Sequence, residues 1–397
     1  MIVVGAGHAG GQAAASLRQA GYDRDILILG DEPHIPYQRP PLSKQYLAGE
    51  HGLERVYLRP EKFYSDRNVT IRSGVRVEAV DRSAQTVVTS EGDRLPYHKL
   101  LLATGSRPRR LNIEGGDLPG IHYLRTIADV DAIRAEMAPG RKVAVVGGGY
   151  IGLEVAAVCI EAGLDVRVIE MEDRILKRVT TPFMSEFYHG LHSGRGAQLH
   201  TGVTVTGFAG NGRVSRVLCG DSEFDADLVI VGIGIVPNVE LAAEAGLACD
   251  NGVVVDDRCR TADANIYAAG DCTNHPNPLL GRRLRLESVP NAMEQARVAA
   301  ANLCGGDKAY ASVPWFWSDQ YDLKLQMVGF AADGDTEVLR GEVAANSFAV
   351  FHLKDGALVA VDAVNCPKEF MICRRLIGRE VDPQALANPE TDLKSLL

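Results

Sequence analysis

The chain has 397 residues, enough for two or three domains at roughly 100–200 residues each, and its 46% hydrophobic and 23% charged residues are those of an ordinary globular protein. A formal net charge of −9 argues against nonspecific binding to nucleic acid or anionic lipid. No run approaches the ~18 apolar residues of a membrane helix, and the 41 glycines fall in short turn motifs rather than a collagen repeat.

In chain order, a β-branched strand from Ile2 runs into Gly5-Ala-Gly7-His-Ala-Gly10, then an Ala-rich helix closed by Gly21, then a second strand at Ile26–Leu29. Leu100–Gly105 reads as a buried parallel strand ending in a tight turn. The opening pattern then recurs 142 residues on: a strand from Val143, Gly147-Gly-Gly149-Tyr-Ile-Gly152, a helix closed by Gly163, and a strand at Val166–Glu170. Leu228–Pro237 and Asn265–Asp271 read as further strands. After about residue 312 come short alternating strands (Lys324–Val328, Ser347–His352, Ala357–Asp362) and a helical tail from Pro367.

The predicted fold class is α/β: two Rossmann-like dinucleotide-binding domains, one inserted in the other, plus a C-terminal α+β domain. The expected bounds are 1–108 with 238–312 for the outer domain, 109–237 for the inner one and 313–397 for the third.

Each GxGxxG turn is a phosphate cradle, because its glycines let backbone N–H groups approach a pyrophosphate at a helix N-terminus. Gly5, Gly7, Ala9 and Gly10 form the first, and Gly147, Gly149, Tyr150, Ile151 and Gly152 the second. Each is followed about twenty residues on by an acid suited to a ribose hydroxyl, Asp31 and Glu170. Glu170 precedes Met171 and Glu172 with no adjacent cation for a 2′-phosphate, which predicts NADH over NADPH at the inner site.

These motifs, with Ala103-Thr-Gly105 and Ala269-Gly-Asp271, resemble the two-dinucleotide flavoprotein reductases of the glutathione-reductase type. Pro36–Lys44, Glu287–Ala292 and Trp315–Tyr321 narrow the resemblance to the oxygenase-coupled NADH–ferredoxin reductases, typified by putidaredoxin and palustrisredoxin reductases. The resemblance implies FAD at the first cradle and NADH at the second. It further implies flavin contacts from Ala9, Asp31, Lys44, Val77, Arg125, Asp271 and Val289. Asp271 could also cap a helix, and one residue can do both. Lys44 would sit near the flavin N5–C4 edge, with Glu154 facing the same side; early in its helix, Glu154 could instead only favour the helix dipole. Tyr150 either covers the flavin or packs. Trp317 is a flavin-side or partner-side aromatic, and Trp315 reads as core.

Relatives that use a thiol place a CxxC beside the flavin or one cysteine near residue 43; here that residue is Ser43, and no cysteine precedes Cys159. Eight cysteines without a CxxC pair, and a start without a signal peptide's basic residues, indicate a cytoplasmic protein, no iron–sulfur cluster of its own and no metal site. Electrons would therefore pass from NADH through FAD, one at a time, to a separate small acidic iron–sulfur ferredoxin, expected with a two-iron centre and feeding a cytochrome P450. The alternatives are a Rieske-type dioxygenase or rubredoxin system, then an NADH oxidase or peroxidase, or a flavoprotein resembling apoptosis-inducing factor. A basic docking patch is expected from Arg59, Arg282, Arg283, Arg285 and Arg297.

Overall fold

The computed structural model describes residues 1–397, which divide into two compact units. The first comprises Met1–Arg39, His51–Arg107 and Ile235–Pro314. At its centre is a parallel sheet in the order Ile266–Ala268, Leu100–Leu102, Ile2–Val4, Ile26–Gly30, Val69–Ser73. Its central strands read as continuous apolar runs because both faces are covered. On one face lie the helices His8–Gln19 and Val289–Leu303, whose Ala9, Ala13, Ala292, Ala296 and Ala299 share a core; side chains this small let two helices approach closely. On the other lies the antiparallel sheet Val77–Asp81, Thr86–Thr89, Arg94–Pro96, which brings Val77, Val80 and Val87 against Val4, Leu29 and Leu100.

The second unit comprises Pro40–Glu50, Pro108–Gly234 and Trp315–Leu397. Its parallel sheet runs Gln198–Thr201, Asp165–Glu170, Lys142–Val146, Leu228–Val231, Ile121–Tyr123. A five-stranded antiparallel sheet belongs to the same unit, in the order Trp315–Gln320, Leu323–Gly329, Ala357–Val364, Ser347–Lys354, Thr336–Glu342. Its first and last strands have no clean alternation and are not legible in the sequence. Pro40–Glu50, expected in the outer domain, packs in this unit, because Lys44 pairs with Glu154 and Tyr46 donates to Asp131 at 2.8 Å.

Each unit buries a histidine that does not charge readily. Burial pulls His192 and His275 down to about 4 from the ordinary 6.5. The unfolded chain then binds more protons than the folded one between pH 6.5 and 4, so stability is complete above 6.5 and falls on acidification through that window. Each histidine contributes a slope approaching about 1.4 kcal/mol per pH unit. Denaturation midpoints measured from pH 7 to 4 should fall accordingly; a flat profile contradicts the burial of both rings.

Candidate functional site

Both cradles have the same construction. Gly5 has φ +113°, and a Cβ there would lie 2.1 Å from the Ala103 carbonyl oxygen; a Cβ on Gly10 would lie 1.9 Å from that of Gly5. In the second copy Gly147 has φ +109°, and a Cβ on Gly152 would meet the Gly147 oxygen at 2.1 Å. These four glycines are required by the fold of the turn. Gly7 and Gly149 are different: a Cβ at either would meet nothing within 4 Å. Each is the N-cap of its helix, and neither helix has a side-chain cap, so the first-turn N–H groups are left for an anion. The open middle glycine and uncapped helix fit a dinucleotide pyrophosphate in both places, with Ala9 and Ile151 in the first turns.

The two acids are not equivalent. Gly5 N–H donates to Leu29 O and Gly147 N–H to Ile169 O, both at 2.8 Å, so Glu170 is matched by Gly30 and Asp31 stands one residue further on. The reason is steric. Ala6 would crowd a Cβ on Gly30 at 2.5 Å, whereas the residue matching Ala6 is Gly148, which leaves room for Glu170. The Glu170 carboxylate accepts the N–H groups of Gly148 at 2.6 Å and Glu172 at 2.9 Å, and is thereby aimed at the cradle. Asp31 is exposed.

Asp271 is not a helix cap: a strand, Thr273–Asn277, follows it, and its carboxylate accepts from Ser106 at 2.9 Å. Gly270, just before it, has φ +92° and donates its N–H to Gln295 at 2.8 Å. Val289 opens the helix Val289–Leu303, capped by Ser288. The Val77 side chain is in the core, so only its backbone remains for a ligand.

Lys44, Arg125 and Glu154 belong to the second unit. Arg125 precedes the helix Ile127–Glu136, and its backbone N–H donates to the capping Asp129 at 3.0 Å. Glu154 is the fifth residue of Tyr150–Glu161, beyond the first turn, and is sealed from solvent. It therefore does more than favour the dipole: its Oε2 accepts from Lys44 Nζ at 2.6 Å and from Ser43 Oγ at 2.5 Å, and its Oε1 from Ser318 Oγ at 2.6 Å. Sequence reasoning missed Ser43 and Ser318 as partners; Ser43 was conspicuous only as the place of an absent cysteine.

The Tyr150 ring lies 5.5 Å from that of Phe316 and its hydroxyl donates to Met327 Sδ at 2.8 Å. Strand alternation separates Trp317 from the Lys44–Glu154 cluster. Phe316, Ser318 and Gln320 occupy the face turned to Tyr150 and Glu154, whereas Trp317 lies on the other, 5.7 Å from Trp315. Trp315 is half-buried rather than core, its ring tilted against that of Phe370 at 5.7 Å and the Arg374 guanidinium 5.0 Å away.

All eight thiols are pushed up by burial, Cys159 and Cys373 to about 12, so none is a ready thiolate. The anticipated docking cations are mostly engaged. Arg59 is half-buried and donates to Gln12 of the first cradle helix at 2.9 Å. Arg283 donates to the Val255 and Asn274 carbonyls, and Arg285 pairs with Glu287 at 2.6 Å. Short polar neighbours captured these guanidinium groups, a pairing invisible in an Arg run. Arg282 and Arg297 are exposed.

Residues 1–296 match the pyridine nucleotide-disulphide oxidoreductase family model, and residues 315–397 match the reductase C-terminal model. The chain is 46% identical over 404 residues to the ferredoxin–NAD(+) reductase component of the anthranilate 1,2-dioxygenase system of Burkholderia cepacia, covering 100% of this chain and 98% of the relative. Among solved structures, the covalent putidaredoxin reductase–putidaredoxin complex matches at TM-score 0.96 and 42% identity, covering 100% of this chain and 97% of that one. The ferredoxin reductase for the CYP199A2 system of Rhodopseudomonas palustris matches at TM-score 0.96 and 42% identity, with 100% and 98% coverage. With both cradles intact and both models matched, the chain belongs to the pyridine nucleotide-disulphide oxidoreductase family and carries its reductase C-terminal domain.

Proposed function

We propose that the chain is a cytoplasmic NADH:ferredoxin oxidoreductase, holding FAD at the first cradle and NADH at the second, and delivering electrons singly to a small acidic iron–sulfur ferredoxin that serves an oxygenase. The observation that carries this reading is the pair of open, uncapped cradles in a chain whose thiols are all buried or unactivated. With no thiolate to receive reducing equivalents, a protein acceptor is the outlet this reading assigns. FAD, when bound, supplies the conversion between two-electron and one-electron chemistry.

On this reading residues 1–108 and 238–312 hold the flavin, apart from the 40–50 excursion, and residues 109–237 hold the nicotinamide nucleotide. Asp271 and the Val289 N–H anchor the flavin, and Lys44, held by Glu154, sets charge at its reacting edge. Trp317 is left as a partner-side aromatic. Similarity to the CYP199A2-system reductase favours a cytochrome P450 system, for whose ferredoxin a two-iron centre is the expectation. Similarity to the anthranilate 1,2-dioxygenase component favours the second reading, a dioxygenase system, for which a Rieske type is the expectation.

The purified yellow protein should bleach with NADH under anaerobic conditions, then reduce cytochrome c quickly only when ferredoxin is added. Fast peroxide turnover without ferredoxin would point instead to an oxidase or peroxidase, and sluggish bleaching to a non-catalytic flavoprotein. Arg297→Glu should slow ferredoxin reduction at low salt and flatten its salt dependence, leaving NADH-driven bleaching unchanged; an unaltered association rate removes Arg297 from the docking surface.

Glu170 sets the expected preference for NADH. Losing a hydrogen bond to a charged group costs about 1.5–3 kcal/mol. Glu170→Ala should therefore lower kcat/KM for NADH by about 10- to 150-fold, with a smaller change for NADPH. Equal losses for both nucleotides would contradict a ribose contact.

A further inference from the structure

A line of buried hydrogen bonds leads from the second oxygen of Glu154 along the C-terminal sheet's first strand to that strand's end. Ser318 Oγ lies 2.6 Å from Glu154 Oε1, and Gln320 Nε2 lies 3.1 Å from Ser318 Oγ. His192 Nε2 lies 2.8 Å from Gln320 Oε1, and the Tyr321 hydroxyl 3.1 Å from His192 Nδ1. Glu154, Ser318, Gln320 and His192 are each at most 1% exposed, and Tyr321 is half-buried at the outer end. Ser318 and Gln320 come from one face of Trp315–Gln320, and His192 from the last turn of the helix Pro182–Gly194.

Only one arrangement of protons satisfies every link. A carboxylate accepts and cannot donate, so Ser318 gives its single proton to Glu154. Ser318 must then accept from the Gln320 amide N–H, which leaves Gln320 Oε1 to accept from His192 Nε2–H. Burial keeps the His192 ring neutral above about pH 4, so Nδ1 carries a lone pair and accepts from Tyr321. Every donor points toward Glu154, and the network assigns the tautomer. The other carboxylate oxygen is thereby left to Lys44 and Ser43.

A glutamate on a helix has several rotamers, and an acid held from one side only can rotate away from its lysine. We propose that Gln320 and His192 are positioning residues: acting through Ser318, they hold Glu154 in the rotamer that keeps the Lys44 ammonium in place. Neither residue touches Lys44. The inference rests on the reading above, in which Lys44 meets the reacting edge of the flavin.

The test compares FAD-loaded variants by flavin midpoint potential and by the rate of anaerobic bleaching with NADH. Gln320→Met and His192→Leu, which remove the polar links at similar size, should each slow bleaching about tenfold. Each should also move the potential negative by about 30 mV, the equivalent of tenfold for a two-electron couple. His192→Gln, which still offers a donor where Nε2 stands, should restore both. Ser318→Ala removes a single hydroxyl and gives the same answer if a larger change prevents folding. Wild-type potential and rate in Gln320→Met and His192→Leu, with both altered in Lys44→Met, would make the chain purely structural and overturn the proposal. An unchanged potential in Lys44→Met itself would show that the lysine does not meet the flavin, and would overturn the underlying reading together with the proposal.

Discussion

Glu154→Leu is expected to destabilise the second unit by about 3–5 kcal/mol and to cut NADH-driven bleaching by two orders of magnitude or so. Leucine fills similar space but accepts nothing. The Lys44 ammonium, whose side chain is only 10% exposed, would lose its anion in a place where water cannot replace it. The Ser43 and Ser318 hydroxyls would lose their acceptor in the same step. Breaking a buried pair by removing one partner is costly because it strands the other charge, which is a different quantity from the net worth of the pair. Glu154→Gln separates the two contributions. It keeps an acceptor oxygen but not the charge, so stability should recover partly while bleaching stays slow. Denaturant titration and anaerobic stopped-flow measure the two effects. A Glu154→Leu protein with unchanged midpoint and bleaching rate would show that the pair has no part in either.

The second large effect separates two glycines three residues apart. Gly10→Ala places a methyl group 1.9 Å from the Gly5 carbonyl oxygen, which is backbone and cannot swing aside. The turn must open, and the strand–helix packing built on Ala9 and Ala13 opens with it, so little folded protein is expected. Gly7→Ala meets no atom within 4 Å, and its φ of −96° suits alanine. The apoprotein should fold with an unchanged melting temperature. It should nevertheless emerge colourless or bind FAD far more weakly, because the methyl occupies the space where the pyrophosphate meets the uncapped helix. Folded, fully yellow Gly7→Ala protein would show that the first cradle does not hold the flavin. Gly149→Ala is the parallel experiment on the second cradle and should raise KM for NADH while the protein stays yellow.

Much of this molecule is legible before any coordinates are seen. Two copies of strand, GxGxxG turn and Ala-rich helix specify two dinucleotide-binding units, because the outer glycines of each turn answer a local backbone demand that no other residue meets and the middle one leaves room for a pyrophosphate. The absence of a cysteine near residue 43 is likewise a fact of sequence, and it removes the thiol relay that a cysteine at that position would provide. What sequence could not decide lies wherever residues distant along the chain meet. The mismatch between Asp31 and Glu170 depends on whether Ala6 or Gly148 faces the strand end. The arginine run before Glu287 looks free until Arg283 is seen to donate to Val255 and Asn274, and Arg285 to pair with Glu287. Glu154 gains its meaning from Lys44 and Ser318, which lie 110 and 164 residues away. Local turn geometry is encoded in neighbouring residues, but a buried charge is satisfied by whichever groups the fold brings to it, and only tertiary packing chooses those.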